Sequence, residues 1–246
     1  MRPPNWMLDR GWSVTAEVAG ITATDRLGPH AAPAVAWLKR QAGANEVIVG
    51  GRNIGSAPGV LAIALNGTRV QELAIPPGFF MGRVTLPAGS LAAGAGYQPL
   101  ELKSTGAEVV SLEQFDAQPP GVPMFAYDRG WHEPEFNLAE KRAWRWTSES
   151  SDLWIRPVGR PVTLRLVGEN PLRYYDAVPH VRVLAGGREI AAFDPGGDFD
   201  QAVTIPAEAL EAAGGKVTLE TSKFFVPGGG GDQRHLALRV YRVSVE

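Results

Sequence analysis

The chain has 246 residues, 44% of them apolar, and a formal net charge of −2 from 24 basic and 26 acidic residues. This near-balanced charge, without long runs of either sign, argues against nucleic acid as a partner. The absence of cysteine excludes disulfides, thiolate chemistry and cysteine-based zinc sites. No stretch provides the roughly 18 consecutive apolar residues of a membrane-spanning helix, so we expect no membrane insertion by this segment.

The pattern of short β-branched runs, broken by 29 glycines and 20 prolines, predicts an all-β fold. Asn66-Gly67 is the strongest hairpin signal, because both residue types accept positive φ. It predicts a type I′ turn that pairs residues 60–65 with residues 70–75. Further along, residues 87–91 are interpreted as a single helical turn.

An internal repeat divides the chain. Residues 8–12 (LDRGW) recur as residues 127–131 (YDRGW), an offset of 119, and Thr85-Leu86-Pro87 recurs as Thr204-Ile205-Pro206 at the same offset. The repeat predicts two tandem antiparallel β-sandwiches from a duplication, at residues 6–118 and 124–246, joined by a proline-rich linker at 119–123. Each copy has about seven or eight predicted strands, which favours a jelly-roll-like sandwich. An immunoglobulin domain is less favoured because the chain has no Cys–Trp–Cys spacing.

The second copy has the longer loops, so we expect any ligand site there. Residues 131–135 place Trp131, His132, Glu133 and Glu135 close together in sequence. In an extended chain the two glutamates share one face and the histidine lies on the other, which disfavours a three-ligand metal site. Two interpretations stay open, a loop that contacts a ligand and a segment that serves the fold.

Two aromatic segments follow. Trp144 and Trp146 alternate with Arg145 and therefore share one face of a strand, where they are either a sugar-stacking surface or part of the core. Arg173, Tyr174 and Tyr175 lie on a longer loop, where they either contact sugar hydroxyls or pack over the end of the sandwich. We therefore predict a ligand-binding end of the second sandwich, formed by residues 131–135, 144–146 and 173–176.

Residues 194–200 contain three carboxylates, Asp194, Asp198 and Asp200, in seven positions. The spacing has some likeness to a calcium loop, but it does not match the EF-hand pattern, and turn formation explains the residues equally well. We expect no cofactor and no structural or catalytic metal, with calcium at these three residues kept as the alternative. The chain also lacks the nucleophile-elbow, phosphate-loop and zinc-protease motifs, so no catalytic residue is assigned.

The second copy also carries a family resemblance. Its motifs are Gly130-Trp131-His132 with Pro134-Glu135, then Arg145-Trp146-Thr147, then Leu153-Trp154-Ile155. In these residues the chain resembles the C-terminal extracytoplasmic β-sandwich module of bacterial multi-spanning (PMT-like) membrane glycosyltransferases and related cell-envelope polysaccharide proteins. The first copy keeps only Gly11-Trp12 and Glu17 of this pattern.

The resemblance implies a periplasmic or cell-surface location and a membrane-embedded parent protein of which this sequence is a segment. Because the membrane-embedded catalytic part is not in the sequence, no transferase activity carries over. A distant likeness to the paired jelly rolls of glycoamidases defines an enzymatic alternative.

Three functions follow from the sequence. The first is a non-catalytic carbohydrate-binding-like or accessory module of a cell-envelope glycan protein, with a glycan or polysaccharide as ligand. The second is a purely structural or protein-interaction module. The third is a bi-domain jelly-roll glycan hydrolase or amidase, in which Glu133 or Glu135 would act. We favour the first, because aromatic side chains lie near polar loops and no catalytic motif is present.

Overall fold

The structure, a computed structural model, describes residues 3–15, 20–23, 33–92, 94–106, 110–228 and 231–246. The described residues divide into two compact units, with the division between Val122 and Pro123. Both units are built from antiparallel strands, which confirms the predicted all-β sandwich class.

The first unit contains ten strands among its described residues. They are β1 (Trp6–Leu8), β2 (Trp12–Thr15), β3 (Gly20–Ala23), β4 (Ala34–Lys39), β5 (Asn45–Asn53), β6 (Gly59–Leu65), β7 (Thr68–Ile75), β8 (Gly78–Leu86), β9 (Tyr97–Thr105) and β10 (Val110–Gln118). One sheet has the order β1-β4-β9-β6-β7 and the other β10-β5-β8. The β2-β3 hairpin contacts this second sheet through β3 and β10.

The second unit also contains ten strands among its described residues. They are β11 (Phe125–Tyr127), β12 (Glu135–Asn137), β13 (Arg142–Trp146), β14 (Ser150–Ile155), β15 (Val162–Glu169), β16 (Val181–Ala185), β17 (Arg188–Phe193), β18 (Asp198–Ile205), β19 (Lys216–Thr221) and β20 (Arg239–Val245). A 3₁₀ turn at Leu172–Tyr174 follows β15, and the helix α1 (Ala207–Ala212) follows β18. The sheets have the orders β11-β14-β19-β16-β17 and β12-β13-β20-β15-β18.

The strand orders identify a jelly roll. When the eight strands β13 to β20 are counted from one to eight, the sheets run 1-8-3-6 and 2-7-4-5, which is the jelly-roll arrangement. In the first unit the order β4-β9-β6-β7 over β10-β5-β8 repeats that arrangement, and the β2-β3 hairpin takes the place of β12 and β13. The two units therefore share one topology, as a duplication requires.

The predicted hairpin at Asn66-Gly67 is confirmed. β6 and β7 pair with Leu65 opposite Thr68, and Asn66 and Gly67 have φ values of 51° and 78°. Positive φ at both central residues is the signature of a type I′ turn. The predicted helical turn at residues 87–91 is wrong. The Ser90 N–H donates to the Pro87 oxygen over 3.1 Å in a tight turn, and Gly89 inside it has a φ of 85°, which lies outside the helical region.

Each sandwich has its own apolar core, formed by the inward-facing alternate residues of its strands. In the first unit the fully buried residues include Leu38, Val49, Leu61, Ile63 and Leu100. In the second they include Leu153, Leu164, Val183, Leu219 and Leu238. Burial of each such side chain contributes about 1.5–3 kcal/mol, and these contacts give a rigid scaffold for the connecting loops.

Candidate functional site

The two tryptophans of β13 share one face of the strand, as predicted, and both bind the same carboxylate. The indole N–H groups of Trp144 and Trp146 donate to Glu135 Oε2, over 3.1 and 3.3 Å. Glu135 lies directly opposite Trp144 in the β12–β13 pair. The side-chain alternation of a strand thus explains the geometry.

Burial removes most of this pair from the surface. Trp146 is only 8% exposed, and Trp144 is partly buried with the Arg239 guanidinium 3.7 Å from its ring centroid. Of the two interpretations left open for this pair, the structure favours the core for Trp146 and corrects its prediction as a ligand-contacting residue. Trp146 belongs to the packed interior, and one face of Trp144 is covered by a cation–π contact.

The segment from Trp131 to Glu133 also serves the fold. Trp131 is 3% exposed and packs edge-to-face on Tyr127 with 4.8 Å between the ring centroids, so its ring cannot contact a ligand at the surface. His132 Nε2 lies 3.0 Å from the backbone oxygen of His235 and 3.1 Å from Ser148 Oγ. Since a backbone oxygen only accepts, Nε2 carries the proton in this arrangement.

A loop outside the predicted site contacts several of the predicted residues. It spans residues 222–238 between β19 and β20, and we call it the 222–238 loop. Within it, Phe225 and Leu236 exchange backbone hydrogen bonds of 2.8 and 2.9 Å. Ala237 and Leu238 bond to the backbone of Thr147 just after β13. These bonds bring the loop against the predicted site.

Arg234 ties this loop to the two glutamates. Its Nη1 lies 3.1 Å from a carboxylate oxygen of Glu133 and 3.1 Å from one of Glu135, while Nε and Nη2 form a fork to Asp232. The hydrogen bond from Arg234 lowers the pKa of Asp232 to about 2. Glu133 and Glu135 therefore anchor the loop through a shared guanidinium.

Phe225 gathers the predicted aromatic residues around one ring. Tyr174 stacks on it at 3.9 Å between centroids, while Trp146 and Tyr175 approach it edge-on at 5.7 and 6.2 Å. The Tyr175 hydroxyl donates to the backbone oxygen of Ala237 over 2.9 Å, and burial raises the pKa of Tyr175. The structure thus brings residues 144–146 and 173–175 together, with a phenylalanine between them.

Two aromatic rings of this cluster face solvent. Tyr174 is 46% exposed, and the Arg173 guanidinium lies 4.8 Å from its ring centroid. Phe224 is 41% exposed and stacks on the His235 imidazole at 4.1 Å between centroids. Each exposed ring is held flat against a second ring, so its orientation is set before any ligand arrives.

These rings border an open depression of about 410 Å³, which we call the Tyr174–Phe224 depression. An ion pair between Lys223 and Asp176 lies in it. The lining consists of Tyr174, Tyr175, Asp176, Ser222, Lys223 and Phe224. The depression thus combines apolar ring surface with hydroxyl, carboxylate and ammonium groups.

The three aspartates of residues 194–200 do not converge. Asp200 accepts from Arg165 Nε over 2.6 Å, and Asp194 Oδ1 lies 2.7 Å from His180 Nδ1. Within the described ranges, no three His, Asp or Glu side chains are placed to hold a metal ion. The structure therefore does not support the calcium alternative, because two of the three carboxylates have other partners. Among the helices of the described residues, none has the length and apolar character needed to cross a bilayer.

The 222–238 loop contacts six of the nine predicted residues, namely His132, Glu133, Glu135, Trp146, Tyr174 and Tyr175. The loop's own Phe224, Phe225, Asp232, Arg234 and His235 were missed. A signal was present, since this connection is long and contains an adjacent pair of phenylalanines. Long connections commonly carry function.

Comparisons with known proteins find no matching family model and no matching curated protein. Among solved structures, the chain is similar to the M60 catalytic domain with the CBM51-1 and CBM51-2 domains of Clostridium perfringens ZmpB (8% identity, TM-score 0.23, 92% of this chain and 34% of that one). It is also similar to a Paenibacillus xanthan lyase (12%, 0.28, 99% and 25%) and to an allantoicase (13%, 0.27, 87% and 78%). The chain thus spans about a third or less of the first two proteins. TM-scores this low assign neither fold nor function.

Proposed function

We propose that the second jelly roll is a non-catalytic carbohydrate-binding module whose ligand occupies the Tyr174–Phe224 depression. One observation carries this proposal, namely that two exposed aromatic rings border a depression that also contains hydroxyl, carboxylate and ammonium groups. Sugar rings offer a matching surface, with a face of C–H groups and an edge of hydroxyl groups. Apolar and aromatic walls with a few placed polar groups are the usual make-up of a small-ligand site.

The energetics of this arrangement are favourable because the rings are already ordered. Phe225 supports Tyr174 and His235 supports Phe224, so little side-chain entropy is lost on binding. Contact of a sugar ring with the Phe224 face that points away from His235, or with Tyr174 when the Arg173 guanidinium moves off its ring, should contribute about 1–3 kcal/mol, judged from apolar area and ring contacts. Asp176 and Lys223 can exchange part of their mutual ion pair for hydroxyl groups of the ligand.

We further propose that the module is extracytoplasmic and accessory to a membrane-embedded, PMT-like glycosyltransferase or a related cell-envelope protein. The support is the motif set that contains Gly130, Trp131, Arg145 and Trp146. In the structure Trp131 and Trp146 are buried, so these motifs serve the fold of the module. Sequencing of the reading frame on both sides of this segment tests the assignment, which requires a run of membrane spans.

The hydrolase alternative requires Glu133 or Glu135 to act on a substrate. Both carboxylates bind Arg234, and Glu135 also accepts two indole N–H groups. These contacts favour a role in anchoring the 222–238 loop. The binding proposal has the stronger support.

The proposal is tested by screening the full chain on an array of immobilised neutral and acidic glycans and then measuring the best ligand by titration calorimetry. We expect Tyr174→Ala and Phe224→Ala each to weaken binding about 10- to 100-fold, since 1.4 kcal/mol is tenfold in affinity. Val226→Ala is the matched control, because Val226 is an exposed apolar residue of the same loop outside the depression lining.

Two results would contradict the proposal. If no glycan on the array binds, a structural or protein-interaction module becomes the better explanation. If Tyr174→Ala and Phe224→Ala bind as tightly as the unmodified chain and Val226→Ala, the ligand lies elsewhere.

A further inference from the structure

A second depression adjoins the Tyr174–Phe224 depression. It has a volume of about 370 Å³, and its lining includes Glu149, His180, Arg182, Glu220 and Ser222. Ser222 lines both depressions. We call the second one the Glu149–Glu220 depression.

The residue shared by the two depressions is held in place by its neighbours. The Ser222 backbone N–H donates to the His180 backbone oxygen over 2.9 Å, and Ser222 Oγ accepts from the His180 N–H over 2.8 Å. Phe224 of the first depression stacks on His235, whose Nδ1 lies 3.0 Å from Glu149 of the second. The two depressions therefore form one continuous surface with a fixed geometry.

The charged side chains around the second depression are, on balance, negative. Arg182 pairs with Glu220 and lies 3.7 Å from Glu189, so two carboxylates face one guanidinium. The remaining groups are histidine–carboxylate pairs, His235 with Glu149 and His180 with Asp194. Among the lining residues, the two carboxylates of Glu149 and Glu220 face the single guanidinium of Arg182. This balance disfavours an anionic ligand and leaves hydroxyl groups as suitable partners.

We infer that the ligand is a neutral oligosaccharide of at least two sugar units, one in the Tyr174–Phe224 depression and the next in the Glu149–Glu220 depression. This inference rests on the proposed function. Small-molecule sites have volumes of about 300–1,000 Å³, and each depression lies near the lower limit, so each suits one sugar unit rather than a chain. The first unit contacts the aromatic rings of the Tyr174–Phe224 depression, and hydroxyl groups of the second can bond to Arg182 and Glu220.

The test measures how the affinity of the protein for a sugar depends on the number of sugar units in that ligand. The full chain is titrated with the monosaccharide, disaccharide and trisaccharide of the neutral sugar series that binds best on a glycan array. We expect the disaccharide to bind at least about tenfold more tightly than the monosaccharide, a gain of 1.4 kcal/mol. Equal affinity for the two ligands would overturn the two-unit site and leave the proposed function intact.

Variants locate the second unit. Arg182→Ala is expected to remove most of the gain from monosaccharide to disaccharide. Arg165→Ala is the matched control, because Arg165 also pairs with a carboxylate and has a similar side-chain exposure, 49% against 44%, in a depression elsewhere on the same unit. If the gain survives in Arg182→Ala, the second sugar unit does not lie in the Glu149–Glu220 depression.

Oligogalacturonates of the same lengths test the charge argument. We expect them to bind at least tenfold more weakly than the neutral chains, and equal binding would overturn the preference for a neutral ligand. A complete lack of binding by every glycan on the array is a separate outcome, which overturns the proposed function and this inference together.

Discussion

The two jelly rolls have the same topology but differ in how β9 joins β10 and β19 joins β20. In the first unit this connection is residues 106–109, and in the second it is residues 222–238. The longer connection supplies Phe224, Phe225, Arg234 and His235 to the candidate site. The sheets that the two units share do not form the aromatic depression. The longer connection of the second unit supplies part of its lining.

The motif shared by both units has a structural role. Asp9 and Asp128 bond their backbone N–H groups to Val35 and Asp152, and the reverse bonds run to Arg10 and Arg129. Gly11 and Gly130 both have a φ of 84°. The repeated Asp-Arg-Gly-Trp thus positions the same backbone turn twice. This motif, present in both units, serves the fold, whereas the residues of the candidate site are found in the second unit alone.

The largest effect is expected from Trp146→Ala in the second unit. Loss of a buried indole leaves a cavity and removes the contacts with Glu135 and Phe225. We expect the free energy of unfolding to fall by about 3–5 kcal/mol. Urea unfolding followed by circular dichroism measures the loss, with hydrogen exchange assigning it to residues 123–246. A loss below about 1 kcal/mol would mean that Trp146 is a surface residue after all.

The second-largest loss of stability is expected when Gly11 or Gly130, the glycines of the repeated motif, is changed to alanine. These two variants test whether the motif has the same role in both units. A Cβ at Gly130 would lie 2.1 Å from the Ser150 oxygen, and one at Gly11 would lie 2.7 Å from Ala34 Cα. Overlap adds to the strain of positive φ, so we expect each alanine variant to lose roughly 3 kcal/mol. Gly187→Ala is the control, since Gly187 has a φ of 83° in open space and should lose only about 1 kcal/mol. Equal losses at all three positions would remove the steric argument.

The smallest effect concerns the anchor of the 222–238 loop. The pKa of Asp232 is lowered to about 2 in the folded chain, so its ion pair with Arg234 contributes stability above about pH 4 that is lost as the pH falls toward 2. We expect Asp232→Asn to be less stable than the unmodified chain at pH 5 and the difference to narrow toward pH 2. Urea midpoints at pH 5, 3 and 2 measure it. A difference that does not change with pH would show that Asp232 is not ionically coupled to the fold.

The sequence by itself determined the all-β class, the duplication and the hairpin at Asn66-Gly67. These features depend on short-range rules, since side chains alternate along a strand and asparagine and glycine accept positive φ at adjacent positions. The shared face of Trp144 and Trp146 followed from the same alternation. The prediction of a helical turn at residues 87–91 failed because glycine accepts both helical and positive φ values. Gly89 has a φ of 85°, and its surroundings in the fold decide which value it adopts.

The exposure of each aromatic side chain was decided only by the tertiary structure. Trp146 is buried against Phe225, and Glu133 and Glu135 are engaged by Arg234, all through residues about 80 to 100 positions away in sequence. Alternation specifies which face a side chain occupies, but not what covers that face. Here the 222–238 loop covers that face, because its Phe225 packs on Trp146. Tyr174 and the loop's own Phe224 stay exposed to solvent. The pairing of β19 and β20 within their sheets fixes where the loop begins and ends.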